Sequence, residues 1–171
     1  KGRNAIHRLG DLLSRLDTYE GRRPMIGGCE FREALQAVYV DGGVAGNVVP
    51  DSASVTINHR FAPDRSNDEA VAHVRDFVGE CDGFELTAMS SAAYPATDHP
   101  LVAGLIERLG LEVSAKLGWT DVARFSEHGI PAANFGSGDA SLAHTKDEYV
   151  ERAEIERVYA VLLDLLTTPP G

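Results

Sequence analysis

The sequence predicts a mixed α/β chain, an incomplete α+β sandwich followed by part of a second α/β layer. Three observations predict it. Apolar residues recur at helical spacing in 4–16 and again in 66–78, and they alternate every second residue in 31–40 and 53–61. A further alternating stretch, Phe84, Leu86 and Ala88, follows Gly83. The resulting order of helix, strand, strand, helix, strand is that of a β-α-β-β-α-β sandwich without its first strand. Beyond Ser90 the pattern turns to helices with few short strands, too few for a complete α/β core, which suggests a piece of a larger layer.

The first helix carries Ile6, Leu9, Leu12, Leu13 and Leu16 on one stripe and Arg8, Asp11 and Arg15 between them, with Asn4 as a cap and Gly21 as the stop. Gly27-Gly28 marks a turn. In the first strand Phe31, Leu35, Ala37 and Tyr39 are expected on one face and Arg32 and Gln36 on the other. Gly42-Gly43 and Gly46 interrupt. In the second strand Val55, Ile57, His59 and Phe61 face one way, Thr56, Asn58 and Arg60 the other, and Pro63 ends it. Ser66-Asn67-Asp68-Glu69 has capping-box spacing ahead of Ala70, Val71, Val74, Phe77 and Val78. After a linker or crossover from Ser90 to Pro100, a helix bearing Leu101, Leu105, Ile106 and Leu109 ends near Gly110. A short segment covers 111–115, a short helix is expected over 121–127, and Pro131 to Phe135 reads as a buried strand. A last helix is expected from about Lys146 to Leu166, opened by a Thr145/Glu148 capping-box pair and closed by Pro169-Pro170.

With 43% hydrophobic and 25% charged residues, the 171-residue chain has globular composition and the length for one domain or two small ones. No run approaches 18 apolar residues, so no helical membrane span is expected. A net charge of −10 without a basic stripe opposes binding to a phosphate backbone. Neither nucleic acid nor membrane is an expected partner. Cys29 and Cys81 belong to no CxxC cluster, which indicates neither a disulfide scaffold nor a cysteine zinc site and fits a reducing cytoplasm.

Three stretches can carry chemistry. Gly136 to Thr145 is a polar, glycine-rich loop between an apolar segment and a helix, and His144 within it offers an imidazole suited to zinc or cobalt, with Asp139 or Glu148 to orient the ring. A solvent-facing loop histidine is the plainer reading. One histidine makes no metal site, because a catalytic zinc takes about three protein ligands. HExxH, GxGxxG and GxSxG are all absent. In Gly118-Trp119-Thr120-Asp121, Thr120 could bond a ligand or cap the helix that follows, and Arg124 could point into a site or pair at the surface. Asn47 and Arg60 form the third candidate. Arginine recognises a carboxylate through two parallel hydrogen bonds, although a polar-face arginine can equally face solvent. His7, His59, His73, His99 and His128 are expected to be structural.

Taken together, Gly2-Arg3-Asn4-Ala5-Ile6-His7, Gly46-Asn47-Val48-Val49-Pro50, Asn58-His59-Arg60-Phe61, 116–125 and 129–150 resemble the M20 family of metallo-amidohydrolases and aminoacylases. Gly118 to Phe125 and Leu142 to Glu148 are especially similar to its actinobacterial-type desuccinylase branch. The resemblance implies a ferredoxin-like lid or dimerisation domain over 1–90, lacking its first strand, and the C-terminal part of a catalytic domain over 91–171. It implies a homodimer through the lid, two divalent metals (zinc, or zinc and cobalt), and a small substrate with several carboxylates. His144 matches the last metal-ligand histidine. Thr120 matches a substrate-binding threonine, Gly118 a backbone contact, and Asn47 and Arg60 lid residues that reach substrate carboxylates.

Departures from the family pattern are equally informative. The early histidine–aspartate motif, the bridging aspartate and the glutamate pair holding the general base have no counterpart here, and Ala140 stands where some relatives carry a substrate-binding asparagine. No catalytic residue is therefore assigned, and the isolated chain is expected to be inactive. Two alternatives stand beside desuccinylation: an aminoacylase or peptidase acting on another N-acyl amino acid, and a non-catalytic binding or dimerisation module.

Overall fold

Asn4 caps the first helix as its sequence position predicts. Its Oδ1 accepts from the His7 N–H at 3.1 Å, and α1 spans Ala5–Asp17. The computed structural model describes residues 2–116 and 118–167. Pro169-Pro170, expected to close the last helix, lie outside the described residues. After α1 come β1 (Met25–Ile26), β2 (Cys29–Glu30), β3 (Ala34–Gly42), β4 (Ala53–Arg60), α2 (Asn67–Val78), α3 (Pro100–Leu109), α4 (Val122–Glu127), a 3-10 turn (Ala140–Leu142) and α5 (Arg152–Thr167). The chain divides into two compact units, Lys1–Ala133 and Asn134–Gly171.

In the first unit, β3 and β4 form an antiparallel hairpin. Leu35 is buried with Leu12 and Leu16 of α1, and Val55, Ile57, Val74, Phe77 and Val78 pack around them, so both helices cover one face of the hairpin. Burying each leucine contributes about 2 kcal/mol. Ser66 and Glu69 close the capping box reciprocally: Glu69 N–H donates to Ser66 Oγ at 3.2 Å, and Ser66 N–H donates to the Glu69 carboxylate at 2.7 Å. The other end of α2 is held by α1, whose Arg15 guanidinium donates to the carbonyls of Phe77 and Val78, two of the acceptors a helix end leaves open.

The predicted alternation holds in β4, where Val55, Ile57 and His59 turn inward and Thr56, Asn58 and Arg60 outward. It fails halfway along β3. Ala37 pairs with Ile57 but Tyr39 pairs with Thr56, leaving Val38 as an extra residue in a β-bulge. The bulge reverses the phase, so Tyr39 joins the outer face, 75% exposed, rather than the face of Leu35 and Ala37.

Gly27-Gly28 makes the tight turn between β1 and β2, with φ of +56° and +78° at the two central residues. Two consecutive left-handed positions favour glycine, as in a type I′ hairpin. The Gly27 carbonyl accepts from Thr97 Oγ1 at 3.1 Å, tying the linker after Ser90 to this turn. Gly21 does not stop α1, which ends at Asp17. A Cβ there would lie 1.9 Å from the Glu33 carbonyl oxygen, so glycine permits a close backbone approach.

Three further expectations are corrected. Residues 84–88 and 131–135 form no strand, and neither joins a β-ladder among the described residues. Alternation marks a segment able to join a ladder, but the ladder needs a neighbour. The Thr145/Glu148 capping box does not form either. Glu148 accepts from the His144 N–H at 2.9 Å, Thr145 Oγ1 donates to the Leu142 carbonyl at 2.7 Å, and the helix begins at Arg152.

Candidate functional site

His144 lies in the second unit, in a loop built almost wholly from local hydrogen bonds. Gly138 N–H donates to Glu154 at 2.9 Å, Asp139 Oδ1 accepts from Ser141 N–H at 2.8 Å, and Thr145 N–H donates to the Leu142 carbonyl at 3.1 Å. The bond from Ser141 holds the Asp139 carboxyl below the usual carboxylate range. Between these anchors His144 takes φ +66°, the one non-glycine residue with positive φ among those described. A β-carbon makes this left-handed region costly, about 1 kcal/mol or more, and such strain concentrates at functional sites. Glu148 holds the backbone of His144 in place, rather than the ring as its sequence position suggested. The ring stands exposed.

Among the described residues no group of three or more His, Cys, Asp or Glu side chains is placed to hold a metal ion. His144 can contribute one ligand, and the described donor set does not fit a complete metal centre.

The other candidates lie in the first unit. Gly118 is exposed, and a Cβ there would meet Lys116 Cε at 3.9 Å, an ordinary contact. Thr120 is half-buried, and its carbonyl accepts from Ala123 N–H at 3.1 Å, while the N-cap of α4 is Asp121, which makes no side-chain cap bond. Arg124 pairs with Glu127 at 3.5 Å and sits 6.0 Å over the Trp119 ring, a surface arrangement.

Asn47 occupies the exposed turn joining β3 to β4, where the Val48 N–H bonds the Ala45 carbonyl. Arg60 is the last residue of β4, on the outer face opposite Ala34. The strand between them rises about 3.3 Å per residue, which puts its ends on the order of 20 Å apart. One hairpin therefore does not bring Asn47 and Arg60 onto one carboxylate.

His59 and His73 are structural, as expected, but the sequence did not show that they meet. Their ring centroids are 5.2 Å apart, and His73 Nε2 lies 2.9 Å from the Tyr19 hydroxyl. Burial first, and then His73 for His59 and Arg65 for His73, push both imidazoles below their ordinary pKa. Nearby, Glu33 is buried against Arg22 (2.6 Å), the Ala62 N–H (3.1 Å) and Arg65 (3.4 Å). Burial alone would raise its carboxyl, but those three donors outweigh it and hold it at about 2. An open cleft of about 450 Å³, lined by Arg65, Asn67, Ser91 and Glu127 among others, contains none of the sequence candidates.

Residues 1–81 match the M20 dimerisation domain, described as a peptidase dimerisation domain. A Mycobacterium tuberculosis (strain ATCC 25618 / H37Rv) protein provisionally designated a succinyl-diaminopimelate desuccinylase is 53% identical over 150 residues, covering 87% of this chain and 42% of that protein. The succinyl-diaminopimelate desuccinylase of Corynebacterium glutamicum (strain ATCC 13032) is 42% identical over 172 residues, covering 97% of this chain and 46% of the enzyme. A Staphylococcus aureus (strain MSSA476) relative with the same provisional designation is 28% identical over 138 residues. The chain thus spans under half the length of each of these relatives. Its dimerisation-domain match over residues 1–81, together with 53% and 42% identity to the two actinobacterial relatives, shows that the chain belongs to the M20 family.

Proposed function

We propose that these 171 residues serve a metal-dependent amide hydrolase that cleaves N-succinyl-LL-2,6-diaminopimelate to succinate and LL-2,6-diaminopimelate. Residues 1–90 act as its lid and dimerisation domain, with a ferredoxin-like sheet completed by polypeptide outside this sequence. Residues 91–171 belong to its catalytic domain. The single observation that carries the reading is His144, an exposed imidazole held in a left-handed backbone conformation by a loop of local hydrogen bonds. The names of the two actinobacterial relatives point to the substrate.

In this reading His144 supplies one ligand to a centre of two divalent metals, zinc or zinc and cobalt, whose other ligands come from outside the chain. Thr120, Gly118, Asn47 and Arg60 orient the substrate. Because Asn47 and Arg60 lie at opposite ends of one hairpin, a homodimer through the lid lets a second copy supply one of them. The family-domain match over residues 1–81 favours that assembly.

The test is metal analysis of the whole enzyme with His144→Ala. The expected result is loss of about one metal per active site and a fall in kcat of at least about 10³-fold, because the open position of a catalytic metal depends on its full ligand set. Unchanged metal content overturns the assignment. The 171-residue chain assayed alone should show no turnover, and turnover by it would refute the need for outside ligands. Comparing succinylated diaminopimelate with other N-acyl amino acids separates desuccinylase from aminoacylase.

A further inference from the structure

The outer face of the β3–β4 hairpin carries an organised polar row beside Arg60. Antiparallel register puts Asn58 directly opposite Gln36, and Arg60 directly opposite Ala34. Residues directly opposite share a face, with Cα atoms about 4.5–5.5 Å apart, and Arg60 lies about 6.7 Å from Asn58 along the strand. All three polar side chains are exposed, on the face turned away from α1 and α2. Among the described residues none of the three is engaged in a hydrogen bond or ion pair.

A fork of N–H donors next to two carboxamides is a specific chemical arrangement. Arg60 matches a carboxylate bidentately. Each carboxamide offers two donors and one acceptor oxygen, and the acceptors suit an ammonium group. A carboxylate with an adjacent ammonium is the free α-amino acid head of an acylated diamino diacid. We propose that Asn58 and Gln36 are specificity-determining residues that, with Arg60, receive the non-acylated amino-acid end of the substrate. The inference rests on the proposed function, which assigns Arg60 to substrate, and adds to it which end of the substrate lies on this face.

The test uses the whole enzyme with Asn58→Leu and Gln36→Met, which keep side-chain size and remove the polar atoms, beside Arg60→Ala. Two substrates are compared: N-succinyl-diaminopimelate, and N-succinyl-2-aminopimelate, which lacks the second amine. For the diamino substrate each amide variant should raise KM roughly 10–100-fold with kcat within about twofold, a loss suited to one hydrogen bond to a charged group. For the analogue, variant and parent KM should coincide. Arg60→Ala should raise KM for both. Melting temperatures should stay unchanged, because the replaced atoms touch nothing in the fold. If Arg60→Ala raises KM while the amide variants do not, the inference fails and the proposed function stands. If the amide variants weaken both substrates equally, the ammonium assignment is wrong. If Arg60→Ala has no effect, the hairpin does not contact substrate, and the substrate assignment for this face falls with it.

Discussion

The two ends of the chain solve the burial problem differently. In residues 4–78 two helices close over one face of a hairpin, and the charged groups near the core are partnered across the fold: Arg15 serves the end of α2, and Arg22, Arg65 and the Ala62 N–H serve Glu33, while His59 Nε2 and Arg65 Nε are buried without a partner among the described residues. In residues 134–167 the loop of His144 is tied by bonds between near neighbours and by one bond from Gly138 to Glu154 of α5, while α5 buries no residue at all. Its apolar residues Ile155, Leu162, Leu163 and Leu166 stay 39–83% exposed. An amphipathic helix is stable chiefly through the surface it covers. The first region therefore carries its own stability, and the second displays a site whose support is not built from these residues.

Hydrogen exchange offers the most direct way to break this comparison. Amides of α1, β3 and β4 should exchange at least about 10³-fold more slowly than those of α5, because opening free energies scale with buried contacts. Equal protection in both regions would refute it. The next largest effect lies in the buried carboxylate. Glu33→Gln should destabilise the first unit by about 2–3 kcal/mol in chemical denaturation, less than a fully buried pair would cost because Arg22 is partly exposed and already pairs with Asp64 as well. Glu154→Gln, which touches the exposed loop, should cost under about 0.5 kcal/mol.

The same unit should be acid-labile in two windows. His59 and His73 are held neutral below their ordinary value of 6.5, so the unfolded chain binds more protons. Stability is then full above pH 6.5 and falls as pH drops below it. Glu33, held at about 2 against an ordinary 4.5, contributes above pH 4.5 and loses that contribution as pH falls towards 2. A double His59→Gln, His73→Gln variant should flatten the upper window and leave the lower one intact in a pH series of denaturation midpoints. Persistence of the upper slope would show that other groups set it.

What the sequence discloses follows from how local each cause is. Asn4, the Ser66/Glu69 box and Gly110 act within one helical turn, and α1, α2 and α3 lie close to their expected bounds. The strands expected at 84–88 and 131–135 depend on a partner elsewhere, and alternation cannot supply one. The candidate site was legible as residue types, because Arg60, Thr120 and His144 announce their chemistry. Its arrangement was not: the positive φ of His144 and the meeting of His59 with His73 arise from long-range packing or from loop closure. Glu148 shows the limit plainly, since capping-box spacing was present and a competing donor, the His144 N–H, took the carboxylate.

The smallest effect concerns Val38, and it sharpens the account of the outer face. Ala37 pairs with Ile57 and Tyr39 with Thr56, so Val38 is the one residue of β3 without a counterpart between them. Deleting it should join two segments already in mutual register, keeping Leu35 and Ala37 inward and Tyr39 outward opposite Thr56. The melting temperature should move by no more than a few degrees, since about 1 kcal/mol shifts a domain of this size by roughly 2–4 °C. Cross-strand nuclear Overhauser contacts between positions 39 and 56 should survive. Deleting Asn58 instead removes a residue from β4, which has none to spare, so His59 and Arg60 shift one position against β3 and exchange faces. That variant should turn His59 out of the packed face and unfold at distinctly lower temperature. If the two deletions cost the same, the bulge is part of what holds the hairpin rather than a spare residue, and the row formed by Gln36, Asn58 and Arg60 depends on it.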